Sequence, residues 1–423
     1  MKGLAAALFF LASVIASAAS ITIESAYPSD VSGNPVQVAL GDSFYMRANL
    51  HVDAPLNGTY RVRFDLPYLH RTSPDVGFSG EAYVVWGPYP ALLAGPMPVK
   101  VTVQSASDAA GPPLTIQILP TEPSQGIEYF NPQDLSGWVG ASANLSAGTP
   151  AGLQWYAPIP EIDGFQQGVQ TQPLGSVVVS KPFLQPVLSI TKAGDVSVEF
   201  QAVSSSSRVN ASLLRSVGFT AFKTLPPDVQ RWLQPETLIE SQSTPISLFV
   251  ARALPRNFKA ALPPYDVAQR IFQAVVGCMQ YAETTARPDA IVALRTGRGD
   301  CGWFSALFVA CCRNAGIPAR TVAGITLGNN AWHVWAEFYL PGFGWIPADP
   351  AYSNGLCPDG SLPVYFGTIP ELNQRAAVSY GFDHGVNGHA IPMLQSPMVF
   401  ASGSTRIRSV RTSCGLAVVA VDR

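Results

Sequence analysis

The spacing of apolar residues changes near residue 224, and this change most constrains how the chain can fold. Before it, segments such as SFYMRANLHV and GTYRVRFDLPY alternate between apolar and polar residues, a pattern typical of strands with one buried face. After it, apolar residues recur every three or four positions, which is typical of helices with one buried side. We therefore expect all-β modules followed by an α+β domain.

The length of the chain and its turn-forming residues extend this prediction to a domain organisation. A chain of 423 residues is too long for one ordinary core, and its 36 glycines and 37 prolines fit many short strands joined by tight turns. We predict a multi-domain protein with an N-terminal β-sandwich. The expected segments are a signal peptide at 1–18, a β-sandwich module at 19–125, a second β-rich module or extension at 126–223, an α+β domain at 224–400 and a C-terminal strand segment at 401–423.

The first residues have the features of a secretory signal peptide. Lys2 supplies the positive start, residues 4–15 are apolar, and Ala16-Ser17-Ala18 is a small-x-small cleavage signal. A transmembrane anchor is the less favoured alternative because the apolar run is shorter than the roughly 20 residues that a span needs. No later segment is long and apolar enough to span a bilayer. We expect a secreted or periplasmic protein whose mature form begins near Ala19.

The charge balance excludes a nucleic-acid binding protein. Removal of Lys2 from the 26 basic residues leaves 25, against 28 acidic residues. This small negative balance lacks the basic patch that binding to nucleic acid or to an anionic membrane requires. Nothing in the sequence indicates an oligomeric state.

Six cysteines in 423 residues are too few for a disulfide scaffold, and the absence of paired C-x-x-C spacing argues against a zinc ribbon. We expect Cys311 and Cys312 to pack as small apolar residues in a core. Pairing of two others in an oxidising compartment stays an alternative that no spacing argument supports. The cysteines are Cys278, Cys301, Cys311, Cys312, Cys357 and Cys414, and the alternative pair is Cys357 with Cys414.

The stretch GRGDCGWFSALFVACCRNAGIPAR predicts a helix from about Asp300 to Ala315. Asp300 is its expected N-cap, while Gly316 supplies a left-handed C-terminal cap and Pro318 prevents continuation. Cys301 then lies in the first turn, where unpaired N–H groups stabilise a thiolate, although the charge of Asp300 opposes this.

Two earlier helices are predicted from their start signals. Thr244 is the expected N-cap of the first, with Pro245 at its first position. Asp266 is expected to open the second, with Gln269 as its capping-box partner.

The segment WHVWAEFYLPGFGWIPADP predicts a hairpin that supplies a base for the thiol. Alternation places His333 on the more polar face of its strand and leaves the opposite face for the core. If the turn centres on Pro341, His333 lies opposite Asp349 on the same face, where a carboxylate can hold one imidazole nitrogen and leave the other for Cys301. A register change of one residue would put Asp349 on the other face.

The segments GRGDCGWFSALFVACCRNAGIPAR and WHVWAEFYLPGFGWIPADP, with the spacing between them, resemble the transglutaminase-like superfamily of cysteine enzymes. The resemblance covers roughly residues 224–400. The resemblance implies a papain-like α+β core, with Cys301 as nucleophile, His333 as base and Asp349 as the orienting acid. It also implies thioester chemistry on carboxamides or peptide bonds of a protein or peptide substrate, by hydrolysis or by acyl transfer to an amine. Gly302 separates the nucleophile from Trp303, whereas a Trp follows it directly in the animal enzymes, so the chain is nearer to the secreted or microbial members.

Alternatives to this interpretation remain at several positions. A binding or assembly protein could use the same domain as a scaffold. The Arg298-Gly299-Asp300 tripeptide could be an adhesion signal, although Asp300 is better used in starting the helix. We expect no cofactor and no metal, since the acidic calcium clusters of the animal enzymes have no clear counterpart. We expect Asp383, His384 and His389 to belong to a loop near the cleft. A metal site formed by these three residues is the alternative. Packing is preferred over lining the cleft for Trp332, Trp335 and Trp345.

Overall fold

The computed structural model describes most of the chain, and its backbone divides into two compact units. The first unit contains the described residues within Met1–Gln37, Phe44–Tyr89 and Met97–Ile118, and the second those within Val38–Ser43, Pro90–Pro96 and Leu119–Arg423. The described residues are 21–52, 59–77, 82–105, 112–149, 152–172, 175–192, 194–284 and 286–419.

The predicted signal peptide at 1–18 lies outside these residues. Among the helices that the structure describes, none combines the length and the hydropathy that a transmembrane span requires.

The first unit is β-rich, as the alternating pattern predicts. Its strands are β1 (Ile21–Ser29), β2 (Ser43–Val52), β3 (Thr59–Asp65), β4 (His70–Thr72), β5 (Val76–Gly77), β6 (Ala82–Pro90), β7 (Met97–Ser105) and β8 (Leu114–Ile118). One sheet has the order β1-β2-β6, and the other has the order β4-β3-β7-β8 with β5 also paired to β3. In β7, Met97, Val99, Val101 and Val103 are buried while most of the residues between them are exposed. One face of this strand therefore belongs to a core.

The second unit begins with six further strands, two of them long. They are β9 (Ile127–Ala147), β10 (Leu153–Pro158), β11 (Gln166–Thr171), β12 (Ser176–Val179), β13 (Pro186–Ile190) and β14 (Val196–Val209). Strands β9 and β14 pair antiparallel along almost the whole of β14.

Helices and a four-stranded sheet follow, as the change of periodicity near residue 224 predicts. The helices are α1 (Ala211–Leu214), α2 (Pro227–Gln230), α3 (Thr244–Ala253), α4 (Phe258–Ala261), α5 (Pro264–Cys278), α6 (Ala290–Thr296), α7 (Cys301–Ala315) and α8 (Pro350–Leu356). The strands are β15 (Gln280–Tyr281), β16 (Arg298–Gly299), β17 (Ala319–Thr326), β18 (Ala331–Leu340), β19 (Gly344–Ala348) and β20 (Arg375–Tyr380). The antiparallel order β19-β18-β17-β20 places β18 and β17 at the centre of the main sheet.

The last strands return to the β-rich part of the second unit. They are β21 (His384–Val386), β22 (His389–Ile391), β23 (Met398–Ala401) and β24 (Arg406–Val418). Strand β23 completes the sheet β12-β13-β10-β23, and β24 completes the sheet β11-β14-β9-β24. Side chains from both sheets share one core with residues of β17 and β20. We call these two sheets together the β-assembly. In sequence, residues 211–395 are inserted between its earlier and its later strands.

Helix α7 agrees with the sequence prediction at both ends. Asp300 is its N-cap and accepts hydrogen bonds from the N–H groups of Gly302 and Trp303, and Gly316 ends it in a left-handed conformation with φ of 88°. Nearly every side chain of α7 is buried, including Cys311 and Cys312. The helix packs on the main sheet, where the Ser305 hydroxyl donates to the Val334 carbonyl at 3.1 Å.

The predicted starts of two other helices are wrong by one or two residues. Ser243, and not Thr244, is the N-cap of α3, and Thr244 is its first residue. Helix α5 begins at Pro264, so Asp266 lies within its first turn and does not open it. Both helices have a proline near the N-terminus, which fixes the helical φ, and neither has a side-chain cap. Each helix therefore begins earlier than the capping residues predicted.

The predicted hairpin exists, but its register differs from the one expected. Ala336 pairs with Ala348 and Leu340 with Gly344, so paired residue numbers sum to 684 and not to 682. The turn centres on Gly342, whose φ of 88° needs a residue without a β-carbon. Because the shift is of two residues, it preserves which face each side chain occupies.

The face of β18 that carries His333, which the sequence predicts to be the more polar one, is buried. His333, Trp335 and Glu337 are all buried. Phe165 packs edge-on against Trp335, and Asp163 and Glu337 both pair with Arg320. The sheet is therefore covered by α7 on one face and by the β-assembly on the other.

Candidate functional site

The N-terminus of α7 places Cys301 at one end of the main sheet. The Asp300 carboxylate holds the first turn by accepting the Gly302 N–H at 3.0 Å. Burial raises the pKa of Asp300, while the N–H groups of Trp303 and Gly302 lower it and the nearby Glu283 charge raises it further. Cys301 is half-buried, and its side chain packs against the core of the helical region.

His333 and Asp349 form a buried pair beside this thiol. His333 Nε2 lies 2.7 Å from Asp349 Oδ2, and the two side chains are 7% and 0% exposed. Asp349 follows β19 directly and caps α8 by accepting the Tyr352 N–H at 3.0 Å. The strand and the helix start thus orient the carboxylate, and the second imidazole nitrogen is left for Cys301, which lines the same cavity and lies close enough to raise the pKa of His333.

The protonation of the pair follows from its surroundings. Burial disfavours the imidazolium, but the Asp349 carboxylate and the Cys301 sulfur outweigh burial and raise the pKa of His333 to about 9. Burial likewise favours a neutral Asp349, but the charges of His333 and Arg375 hold the pKa of this carboxyl well below its usual range. At neutral pH the site therefore holds an imidazolium paired with a carboxylate.

Two residues of this arrangement were missed in the sequence. Arg375, on β20, donates from Nη1 to Asp349 Oδ2 at 2.7 Å and is 1% exposed. The Tyr352 ring lies over His333 with the ring centroids 4.8 Å apart. Tyr352 follows Asp349 by three residues, so the cap at the start of α8 was a usable signal. Arg375 had no local signal, because only the order of strands in the sheet brings it to Asp349.

A cavity of about 610 Å³ opens over Cys301 and His333. The aromatic side chains in its wall are Tyr281, Trp332 and Tyr352. Gln395 also lines it and donates from Nε2 to the carbonyls of Gly324 and His333, both at 3.0 Å, which ties the neighbouring strands together. Cys301 and His333 therefore share one cavity.

The other candidate positions differ in their surroundings, and the preference for packing over lining the cleft is wrong for Trp332. Trp332 lines the cavity, whereas Trp335 is fully buried and Trp345 packs against Arg320. His384 is buried and contacts Ser180 and the Gly381 carbonyl, and burial lowers its pKa.

The loop expected near the cleft is a short hairpin, in which His389 stacks on Phe400. No group of three or more metal-ligating side chains occurs among the described residues. All six cysteines lie in the described part of the chain and are free, so Cys357 and Cys414 are not paired here. Cys357 hydrogen bonds to Asp359, and Cys414 to the Asn330 carbonyl.

Comparison with known proteins identifies the part of the chain that carries this site. Residues 252–350 match the family model of the transglutaminase-like superfamily. An uncharacterized protein of Haemophilus influenzae is 38% identical over 84 residues, which cover 14% of this chain and 23% of that protein. The chain thus matches about a quarter of the length of this relative.

Solved structures resemble the chain more distantly. A "putative cysteine protease" from Cytophaga hutchinsonii aligns with a TM-score of 0.47 and 15% identity, over 70% of this chain and 94% of that one. The periplasmic domain of TgpA from Pseudomonas aeruginosa aligns with a TM-score of 0.28 and 16% identity, over 52% and 90%. At these TM-scores the likeness supports no conclusion about activity.

The matched segment contains Cys301, His333 and Asp349 and most of the main sheet. This chain therefore contains a domain of the transglutaminase-like superfamily.

Proposed function

We propose that the protein is an exported cysteine enzyme that acts on amide or peptide bonds through a thioester on Cys301. The observation that carries the proposal is the buried 2.7 Å contact between His333 and Asp349, next to a cysteine in the first turn of a helix. A thiol, an imidazole and an orienting carboxylate are the three groups that this type of nucleophilic catalysis requires. The proposal includes a papain-like arrangement of α7 against β18 and a β-sandwich for the first unit.

The reaction follows from these groups. The Cys301 thiolate attacks an amide carbonyl, and a carbon–sulfur bond forms while negative charge develops on the oxygen. The backbone N–H of Cys301 is one expected donor to that oxygen. His333, as the imidazolium, gives its proton to the leaving amine or ammonia when the carbon–nitrogen bond breaks. Water or a second amine then attacks the thioester, and His333 takes up the proton that this nucleophile releases.

Asp349 orients the base and does not exchange protons in this scheme. Its low pKa keeps it ionised at neutral pH, so it favours the imidazolium form of His333. Arg375, which does not line the cavity, in turn stabilises the Asp349 charge.

The test is the rate at which each cysteine reacts with limiting iodoacetamide, read by mass spectrometry. Cys301 should react first of the six. Burial raises the pKa of Cys414 to about 11 and the pKa values of Cys311 and Cys312 well above their usual range. Cys278 is the strongest competitor because the residue is exposed, but its sulfur is shielded and donates to the Val275 carbonyl, and burial raises its pKa to about 11.

Substitution of the base distinguishes a catalytic pair from chance proximity. Labelling of Cys301 should fall in His333→Ala and, to a smaller extent, in Asp349→Ala, since Asp349 acts only through His333. His333→Gln and Asp349→Asn keep side-chain volume and control for loss of folding, which circular dichroism monitors. Equal labelling in the wild type and in a folded His333 variant would contradict the proposal, and an unreactive Cys301 in both would favour a scaffold.

A further inference from the structure

The cavity over Cys301 carries an uneven distribution of charge. Among the residues that line it in the described part of the chain, Glu283 and Asp300 are carboxylates, and there is no lysine or arginine. The Asp300 carboxylate caps α7 through Oδ1 and is less exposed than Glu283. His333 and Arg375 both contact the Asp349 carboxylate, and of these two cations only His333 lines the cavity. Glu283 is thus the more exposed of the two carboxylates and has capacity for a further partner.

The position of Glu283 is held by a neighbour. The Tyr281 hydroxyl donates to Glu283 Oε1 at 3.1 Å, and the Tyr281 ring stacks on Phe304 of α7 with centroids 6.5 Å apart. The carboxylate is therefore anchored through a ring that rests on the helix carrying Cys301, while Glu283 itself is exposed. One oxygen accepts the tyrosine proton, which leaves the second oxygen for a donor in the cavity.

The remaining walls suit the same kind of ligand. Tyr281, Trp332 and Tyr352 line the cavity with aromatic rings, and such rings attract cations through their faces. Arg287, the nearest basic residue along the chain, is exposed and does not line the cavity, although Ala286 and Pro288 on either side of it do. Among the described residues that line the cavity, an anionic group that entered would meet two carboxylates and a single cation, the His333 imidazolium, which Asp349 already contacts.

We infer that Glu283, anchored by Tyr281, forms a subsite that selects a positively charged group of the substrate, an ammonium or guanidinium close to the bond that Cys301 attacks. This inference rests on the proposed function and specifies its substrate class. The cation could belong to a lysine or arginine side chain of a peptide, or to a small amine that resolves the thioester. Both sources present the same chemistry to Glu283.

The test uses thiol reagents that differ only in charge, so that it needs no known substrate. The rates of Cys301 modification by 2-(trimethylammonium)ethyl methanethiosulfonate and by the anionic 2-sulfonatoethyl reagent are measured on the full chain. Each is normalised to the rate with neutral methyl methanethiosulfonate in the same variant. The cation-to-anion ratio should exceed one in the wild type and fall about threefold or more in Glu283→Gln, the scale of one partly exposed charge pair.

Two further variants sharpen this measurement. Tyr281→Phe keeps the charge of Glu283 but removes its anchor, so the ratio should fall by less than in Glu283→Gln. Asp228→Asn removes an exposed carboxylate that does not line the cavity, and the ratio should stay at the wild-type value. A ratio that is unchanged in Glu283→Gln, or that falls equally in Asp228→Asn, would overturn the inference.

Peptide reagents separate the two sources of the cation. Chloromethyl ketones of Ala-Ala-Lys and Ala-Ala-Ala should differ in their rates with Cys301 in a Glu283-dependent manner if a peptide side chain occupies the subsite. If only the small ammonium reagent depends on Glu283, the subsite serves an amine. If neither depends on it, the inference fails. Dependence of neutral labelling on His333 is a separate result, so the proposed function and this subsite can fail independently.

Discussion

The arrangement at residue scale is a chain of buried charges that ends at the thiol. Arg375 contacts Asp349, Asp349 contacts His333, and His333 contacts Cys301. Each charge is removed from water, so each depends on its neighbour for compensation. Loss of one member should therefore affect the next.

Arg375→Met tests this dependence. The change leaves the Asp349 carboxylate buried with one partner fewer, and we expect it to lower the free energy of unfolding by about 3 kcal/mol. Chemical denaturation measures the loss. Arg411→Met on the exposed part of β24 is the matched control and should change stability by less than about 0.5 kcal/mol. If both variants unfold at the same denaturant concentration, Arg375 is not needed to compensate Asp349.

At the scale of elements, helix α7 carries Cys301 and a large share of the buried core of the helical region. Local signals define both ends, the Asp300 cap at the start and the left-handed Gly316 at the end. Between them the helix is almost entirely buried, so its length must match the sheet beneath it. A change at either end is transmitted to the position of Cys301.

Substitution of Gly316 tests the end of this helix. Its φ of 88° is costly for a β-branched residue, and Lys259 Nζ lies 3.1 Å from where a β-carbon would be. Gly316→Val should therefore lower stability by about 1 to 2 kcal/mol. Gly316→Asn should cost less, because asparagine tolerates the left-handed region. Thermal unfolding compares the two, and an unchanged melting temperature in Gly316→Val would contradict the observed helix end.

At the scale of the whole molecule, side-chain amides of the β-assembly hydrogen bond to the edge of the main sheet in the second unit. Strand β20 is an edge strand, and edge N–H and C=O groups need partners when buried. The Gln166 amide bonds both polar groups of Ala377, at 2.8 and 3.0 Å, and the Gln185 amide does the same for Tyr380. The β-assembly is thus part of the support of the site and is not merely adjacent in sequence.

The pH dependence of stability is expected to reflect the buried groups. The pKa of His333 is about 9 in the fold against an ordinary 6.5, so its contribution is complete below about pH 6.5 and is lost as the pH rises through 9. The pH dependence from Asp349 has the opposite sign. Because its pKa is lowered in the fold, its contribution to stability is complete above about pH 3.8 and is lost on acidification. Melting temperatures should therefore fall on both sides of a maximum between about pH 4 and 6.5.

His333→Gln identifies the origin of the alkaline decline. The variant should show a smaller loss of melting temperature between pH 6.5 and 9 than the wild type. Some decline should remain, because burial and the nearby Asp163 raise the pKa of Glu337, and a carboxyl that prefers its proton in the fold destabilises it as the pH rises. An identical pH profile in both proteins would show that His333 is not charged in the fold.

The features that could be predicted from the sequence alone are those defined by residues only a few positions apart. The cap at Asp300, the left-handed Gly316 and the turn before β19 each depend on three or four neighbouring residues, so local patterns were sufficient. The alternation of β18 likewise fixed which residues share a face with His333. These signals brought Cys301, His333 and Asp349 to one region, while the numerical register of the hairpin was missed because the turn centres on Gly342.

Only the tertiary structure decided which distant groups complete that region. Arg375 reaches Asp349 across 26 residues because β20 lies beside β17, and Gln166 reaches Ala377 across 211 residues because the β-assembly covers the sheet. That cover also buried the face of β18 predicted to be more polar. Neither contact can be predicted from local periodicity. The alternation of a strand indicates whether a face is buried or polar, but not which element packs against it. The sequence alone therefore indicated Cys301, His333 and Asp349. Which charged group completes their surroundings was decided by the order of strands in the sheet and by packing.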